Sequence, residues 1–170
     1  MKQHITTNAI TYLFVPASRP ERFEKALSTS ADAVIIDLED AVPSVEKDLA
    51  LAKLLEALEK GTSRPALVRM NACDSVWGQR DIAALAELSA QASGSLAGVV
   101  IPMAERVGEV QKVIEVLGGP DSGMDVIALI ETAVGVAAGR ELASIPGVTR
   151  LAVGGADLSF DLDVKLDSST

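Results

Sequence analysis

Six short apolar runs, each followed by a stretch of helical character, constrain this chain more than any other feature. The runs are Thr11–Val15, Ala33–Ile36, Pro65–Arg69, Ala97–Ile101, Val126–Ile130 and Val148–Val153. Near-continuous apolar runs of this length, bounded by turn residues, read as strands buried on both faces. Between them, apolar residues recur at helical spacing. Leu51, Leu54, Leu55 and Leu58 fall on one face between Pro43-Ser44 and Gly61. Ile82, Leu85 and Leu88 do so in a helix from about Gly78 to Ala92, and Val107, Val110, Ile114 and Leu117 in one from Glu105 to Leu117. A first helix runs to about Ser28, with Ser18 as its N-cap and Pro20 in its first turn. A short helix from Val134 to about Ser144 follows the fifth run, and Asp167–Thr170 reads as a frayed end.

Strand–helix alternation predicts a parallel sheet with helical crossovers. A closed (β/α)8 barrel takes eight such units and typically ~250 residues. A chain of 170 residues with about six units therefore predicts one domain, built as about three quarters of a barrel or as an open α/β sheet. In either case the active residues belong at the C-terminal strand ends. Composition agrees: 48% of residues are hydrophobic, dominated by Ala, Leu and Val, while aromatics are only 3%. That mix suits helices packed on a parallel sheet better than a β-sandwich.

Several function classes lose support. A net charge of −9 leaves no basic footprint for nucleic acid. Cys73 is the only cysteine, which excludes a disulfide framework and argues against a cysteine zinc site. Met1–Thr11 lacks the apolar core of a signal peptide, and no apolar stretch is long enough to span a bilayer, so a cytoplasmic protein with no membrane partner is expected. No G-x-x-x-x-G-K-[ST] or G-x-G-x-x-G follows a strand, so ATP and NAD readings lack a motif. The sole histidine, His4, falls in an expected N-terminal tail and receives no role, and Ser and Cys nucleophiles lack an evident base.

The chemistry-bearing residues stand where the apolar runs end. The fifth run leads to Glu131 and the sixth to Asp157. Unpaired burial of a carboxylate costs several kcal/mol, so such acids are usually paired or bind a metal. Two carboxylates with positions left for water and substrate is a common way to hold Mg²⁺. The other reading is a pair of loop acids at helix N-termini. Backbone amides around Gly154 and Gly155 are a possible anion contact. Arg69 closes the third run, where its planar fork suits a ligand carboxylate or carbonyl, or an internal salt bridge to Asp37 or Glu39; the two roles can coexist. Asp37, Glu39 and Asp40 crowd the end of the second run, where like charges raise one another's pKa unless a cation intervenes. They are candidates to orient Arg69, hold metal-bound water or transfer protons. Arg19 and Lys25, near the first strand end, read either as contacts for an acyl-CoA phosphate or as surface cations.

Five segments taken together are more specific: Leu13-Phe-Val-Pro-Ala-Ser-Arg-Pro20, Ile36-Asp-Leu-Glu-Asp-Ala-Val42, Val68-Arg-Met-Asn71, Ala128-Leu-Ile-Glu-Thr132 and Gly155-Ala-Asp-Leu158. In this order and spacing, over nearly the whole chain, they resemble the citrate lyase β-subunit-like (HpcH/HpaI aldolase and citrate lyase) family. The resemblance implies a TIM (β/α)8 barrel of the phosphoenolpyruvate/pyruvate-binding type. It implies Mg²⁺-dependent cleavage or formation of a carbon–carbon bond in a short acyl-CoA or 2-oxo acid. By the same resemblance, Glu131 and Asp157 are the metal ligands and Arg69 holds the substrate's carboxylate or carbonyl; Arg69 is expected to be catalytic together with the Asp37, Glu39 and Asp40 that crowd beside it. Arg69, Glu131, Phe14, Arg19 and Lys25 line the substrate side. Relatives of this kind are commonly trimers or hexamers, so a homo-oligomer is expected.

Two departures stand out. Ile101-Pro-Met103 replaces the Leu-Pro-Lys of many relatives, and relatives continue through two more strands. A barrel truncated on its C-terminal side is therefore expected. The leading expectation is a lyase acting on citryl-, malyl- or citramalyl-CoA. A class II pyruvate aldolase acting on 2-oxo acids, mildly favoured by Pro102-Met103, is the second. A catalytically silent fragment or assembly subunit is the third.

Overall fold

The computed structural model describes residues 4–91 and 94–165. Six parallel strands form its sheet: β1 (Tyr12–Pro16), β2 (Ala33–Asp37), β3 (Ala66–Arg69), β4 (Leu96–Ile101), β5 (Asp125–Ile130) and β6 (Arg150–Val153). Helices α1 (Phe23–Leu27), α2 (Lys47–Lys60), α3 (Val76–Ala90), α4 (Val107–Val116) and α5 (Ala133–Ala143) alternate with them, and α6 (Gly155–Asp161) follows β6. Strand order is β1-β2-β3-β4-β5-β6, without the reversal that a doubly wound sheet requires. The sheet curls as part of a TIM barrel, with six of the eight βα units present among the described residues.

Burial follows the strand period. One large apolar cluster joins alternate strand residues, such as Val34, Ile36, Val68, Val99 and Val126, to Leu54, Leu58, Leu85, Ile114 and Leu142 of the surrounding helices. A second, smaller cluster lines the inner face through Ala33, Ile35, Leu67, Val100, Ile127 and Leu129. Because side chains alternate across a strand, the residues two places beyond Ile35, Leu67 and Leu129 face inward at the C-terminal end. These are Asp37, Arg69 and Glu131.

Several expectations are corrected. Ser18 does not cap a helix; a 3₁₀ turn, Pro20–Arg22, starts after Arg19 with no side-chain cap, and α1 continues from it. The helix expected from Gly78 starts at Val76, where Ser75 Oγ accepts from Gly78 N at 2.9 Å. Its expected end at Ala92 and the frayed end at Asp167–Thr170 lie outside the described residues. The N-terminus from His4 onward is no free tail. A 3₁₀ turn, Ile5–Thr7, sits under the N-terminal end of β5, where Ile5 N donates to Asp125 Oδ2 at 2.9 Å and the Thr6 hydroxyl donates to Asp125 Oδ1. His4 Nδ1 lies 3.2 Å from Asp125 Oδ1. Arg150 donates to Ala9 O at 2.6 Å and stacks on Tyr12. This segment closes the inner core opposite the candidate site.

Candidate active site

Parallel register places Pro16 beside Asp37 and Asp37 beside Arg69. Neighbours in parallel register point the same way, so β2 and β3 deliver the carboxylate and guanidinium to one point. Arg69 Nε donates to Asp37 Oδ1 at 2.7 Å, and Nη2 to Asp37 Oδ2 at 2.6 Å. Both groups are buried, and this fork-on-fork pairing is the strong geometry for the two ions. Asp37 also accepts the backbone N–H of Glu39 at 3.0 Å and of Ala41 at 3.1 Å, so each of its oxygens takes two donors.

The third arginine nitrogen faces the acids of the following loop. Nη1 donates to Asp40 Oδ2 at 3.3 Å and lies 3.0 Å from Glu39 Oε2. Phe14 of β1 covers the guanidinium, 5.1 Å from ring centre to Cζ. Glu39 Oε2 is buried without a hydrogen bond. Burial outweighs the nearby Arg69 charge, and with Asp40, Glu131 and Asp37 adding repulsion it pushes the Glu39 carboxyl up to about 8.

Glu131, just past β5, is 4% exposed. Its Oε2 accepts from Met103 N at 3.0 Å. Met103 has φ 48, a left-handed conformation that non-glycine residues seldom adopt, in the turn that presents its amide to Glu131. On the other side, a Cβ on Gly154 would stand 2.5 Å from Glu131 Cγ and 2.6 Å from Oε1, so only glycine leaves this carboxylate its place. Gly154 N donates to Ile130 O at 2.9 Å, which ties the β6–α6 turn to the end of β5. Asp157, exposed in the first turn of α6, projects from that turn. Burial raises the Glu131 pKa; the Met103 amide opposes this, Asp157 adds to it, and Arg69 and Asp40 act in opposite directions. Asp157, Arg69 and Asp40 therefore all lie within the field of Glu131.

Of the expected site residues, Asp37, Glu39, Asp40, Arg69 and Phe14 are in one contact set, with Glu131 and Asp157 on its β5–β6 side. Phe14 and Lys25 also line an open cleft of about 390 Å³ at the β1 edge, with Leu13, Pro16 and Arg22. Arg19 is not brought into that lining; it is exposed, 3.9 Å from Glu21. Reasoning from the sequence missed Arg22, the Met103 amide and three buried polar residues, Lys47, Asn71 and Asp81. Asp81 carried a legible mark: it falls on the Gly78–Ile82–Leu85 face of α3, where an acid must have a partner.

Comparison with known proteins gives the family. The family model described as HpcH/HpaI aldolase/citrate lyase matches residues 11–170. A (3S)-malyl-CoA thioesterase of Cereibacter sphaeroides is 38% identical over 154 residues, covering 88% of this chain and 50% of that protein. An L-malyl-CoA/beta-methylmalyl-CoA lyase of the same organism is 33% identical over 162 residues, covering 90% of this chain and 50% of the lyase. Among solved structures, the citrate lyase beta subunit from M. tuberculosis, complexed with oxaloacetate and magnesium, superposes with a TM-score of 0.75 at 32% identity, over 96% of this chain and 66% of that one. The chain spans about half the length of the curated relatives it matches. The family model, matching nearly the whole chain, shows that this chain belongs to the HpcH/HpaI aldolase/citrate lyase family.

Proposed function

We propose that this chain carries the catalytic half of a Mg²⁺-dependent carbon–carbon lyase that cleaves a short 3-hydroxyacyl-CoA of the malyl-, citramalyl- or citryl-CoA type. The observation that carries the reading is the convergence of Asp37, Glu39 and Asp40 on Arg69 at the C-terminal strand ends, with buried Glu131 at the end of β5 on the same inner face.

Carboxylates are the hard oxygen donors a divalent cation takes. Asp37, Glu39 and Asp40 are drawn onto the Arg69 guanidinium, and among the described residues no three His, Cys, Asp or Glu side chains are grouped to hold an ion, which leaves the pair Glu131 and Asp157. Glu131 Oε1 faces the space that Gly154 leaves open. Glu131 and Asp157 would hold Mg²⁺, with remaining positions filled by water and substrate oxygens. Bound there, the metal supplies Lewis-acid stabilisation of oxyanion charge on the reacting substrate.

The protein's own residues do the rest. Asp37 has its lone pairs committed to Arg69 and two amides, so it orients the guanidinium rather than carrying protons. Arg69 uses three of its five N–H donors in side-chain hydrogen bonds, which leaves capacity for a substrate carboxylate or carbonyl. Glu39, whose carboxyl burial pushes up to about 8, is suited to move a proton to or from the substrate. Phe14, Arg22 and Lys25 shape the cleft for the CoA arm, apolar wall first and cations at its rim.

A second reading, thioester hydrolysis, is favoured by the identity to a malyl-CoA thioesterase. One assay separates the two. Malyl-CoA is offered with Mg²⁺, and released oxo acid and released CoA thiol are measured in parallel. The lyase reading predicts oxo acid without free thiol. Free thiol without oxo acid would replace it with the hydrolase, and neither product would remove both.

A further inference from the structure

Lys47, Asn71 and Asp81 are buried, at 9%, 3% and 2% exposure, and none of them lines the cleft at the β1 edge. Lys47 Nζ donates to Leu38 O and Glu39 O, each at 2.9 Å, and to Asn71 Oδ1 at 2.5 Å. Asn71 in turn gives its Nδ2 to Asp81 Oδ2 at 2.7 Å and its backbone N–H to the same oxygen at 2.8 Å. Trp77 of α3 lies 5.5 Å from the ammonium.

Core filling does not account for this arrangement. Removing an ammonium from water costs several kcal/mol after relaxation, and an apolar side chain of the same length would pack against Trp77 without that penalty. What the ammonium does that methionine cannot is gather two carbonyls and an amide oxygen at one point. The carbonyls belong to Leu38 and Glu39. The opposite side of the same loop is held as well: the amides of Glu39 and Ala41 bond Asp37, and Leu38 N donates to Arg69 O at 2.9 Å. The loop is thus fixed by its carbonyls on one side and its amides on the other. Asn71, two residues after Arg69, links the end of β3 to the same point, so one network sets Glu39 relative to Arg69.

We infer that Lys47, backed by Asn71 and Asp81, is a positioning residue that holds the Glu39 loop and the Arg69 strand end in the relative geometry that receives the substrate carboxyl group. The inference rests on the proposed lyase site, and the test separates the two. Lys47→Met is prepared with the full chain, and three quantities are measured: the ¹⁵Nε–H resonance of Arg69 without ligand, Mg²⁺ affinity, and pyruvate affinity at saturating Mg²⁺. The expected result is a cooperative fold, a displaced or exchange-broadened Arg69 resonance, Mg²⁺ affinity within about twofold of wild type, and pyruvate affinity reduced at least tenfold. Asp81→Asn keeps the shape but weakens the anchor on Asn71; it serves if Lys47→Met does not fold, with the same direction and a smaller change. An Arg69 resonance unchanged in every folded variant overturns the inference. Equal losses of Mg²⁺ and pyruvate affinity also overturn it, because they mark general loosening. If wild type binds neither ligand, the lyase site fails, while the resonance, which needs no ligand, still decides the positioning role.

Discussion

Arg69 is buried against three carboxyl groups, and the energetics depend on which of them is removed. Asp37 makes the two short bonds to the guanidinium and is itself 1% exposed. Removing one partner of a buried pair leaves an uncompensated charge, so Asp37→Ala should lower unfolding free energy by about 3–5 kcal/mol in urea titration. Asp48→Ala, which breaks the exposed pair with Arg80, should lower it by less than ~1 kcal/mol. Equal effects would contradict the burial argument. Glu39 gives the pH signature. Its pKa near 8 in the fold exceeds the 4.5 of an ordinary glutamate, so the folded state binds more protons between those values. Stability contributed by this group is full below about pH 4.5 and is lost as pH rises through about 8. Melting wild type and Glu39→Gln at pH 5, 6.5 and 8 should show a shallower decline in the variant; parallel curves would remove Glu39 as the group responsible. Arg69→Lys should lower turnover roughly a hundredfold, since a point charge cannot reproduce the fork. Wild-type rates in that variant would take Arg69 out of the mechanism. At this scale the sequence marked the acids and the arginine, because each ends an apolar run. It could not show that Asp37 is saturated or that the Glu39 pKa is raised, since both depend on amides, burial and charges brought in by folding.

Among elements, the strands were the most legible and their surroundings the least. Each apolar run became a strand with bounds shifted by a residue or two, because buried parallel strands carry their own continuous apolar mark. Helix α6 had no such mark: Gly155–Asp161 buries no residue, so no stripe was there to read. The 3₁₀ turn at Ile5–Thr7 was also hidden, because its anchor, Asp125, lies about 120 residues away. Close strand approach makes a specific demand at Gly98, where a Cβ would stand 1.9 Å from Asp125 O. The obstacle is backbone and cannot rotate away. Gly98→Ala should therefore cost at least ~2 kcal/mol in chemical denaturation, although alanine suits a strand no worse than glycine. A neutral effect would mean that β4 and β5 are less tightly held than their register implies.

At the scale of the whole molecule, the two ends of the curled sheet carry different work. The N-terminal strand ends are closed by the segment around Thr6, whose hydroxyl and neighbouring amide bond Asp125. The C-terminal ends hold the charged groups. Among the described residues no helix is long and apolar enough to cross a membrane. Alternation of strands and helices made a barrel segment legible but left an open sheet as the alternative; the unreversed strand order decides it. The family was legible through the resemblance, and the proposed reaction leans on it, because two acids at strand ends have many uses. In the proposed mechanism Glu131 and Asp157 form a Mg²⁺ site that also engages the substrate's oxo acid portion. Calorimetric titration of Mg²⁺ into the chain, with and without pyruvate, tests it most directly. The account predicts one site, tightened by pyruvate and lost in both Glu131→Gln and Asp157→Asn. Mg²⁺ affinity unchanged in both variants, or no binding by wild type, would contradict it.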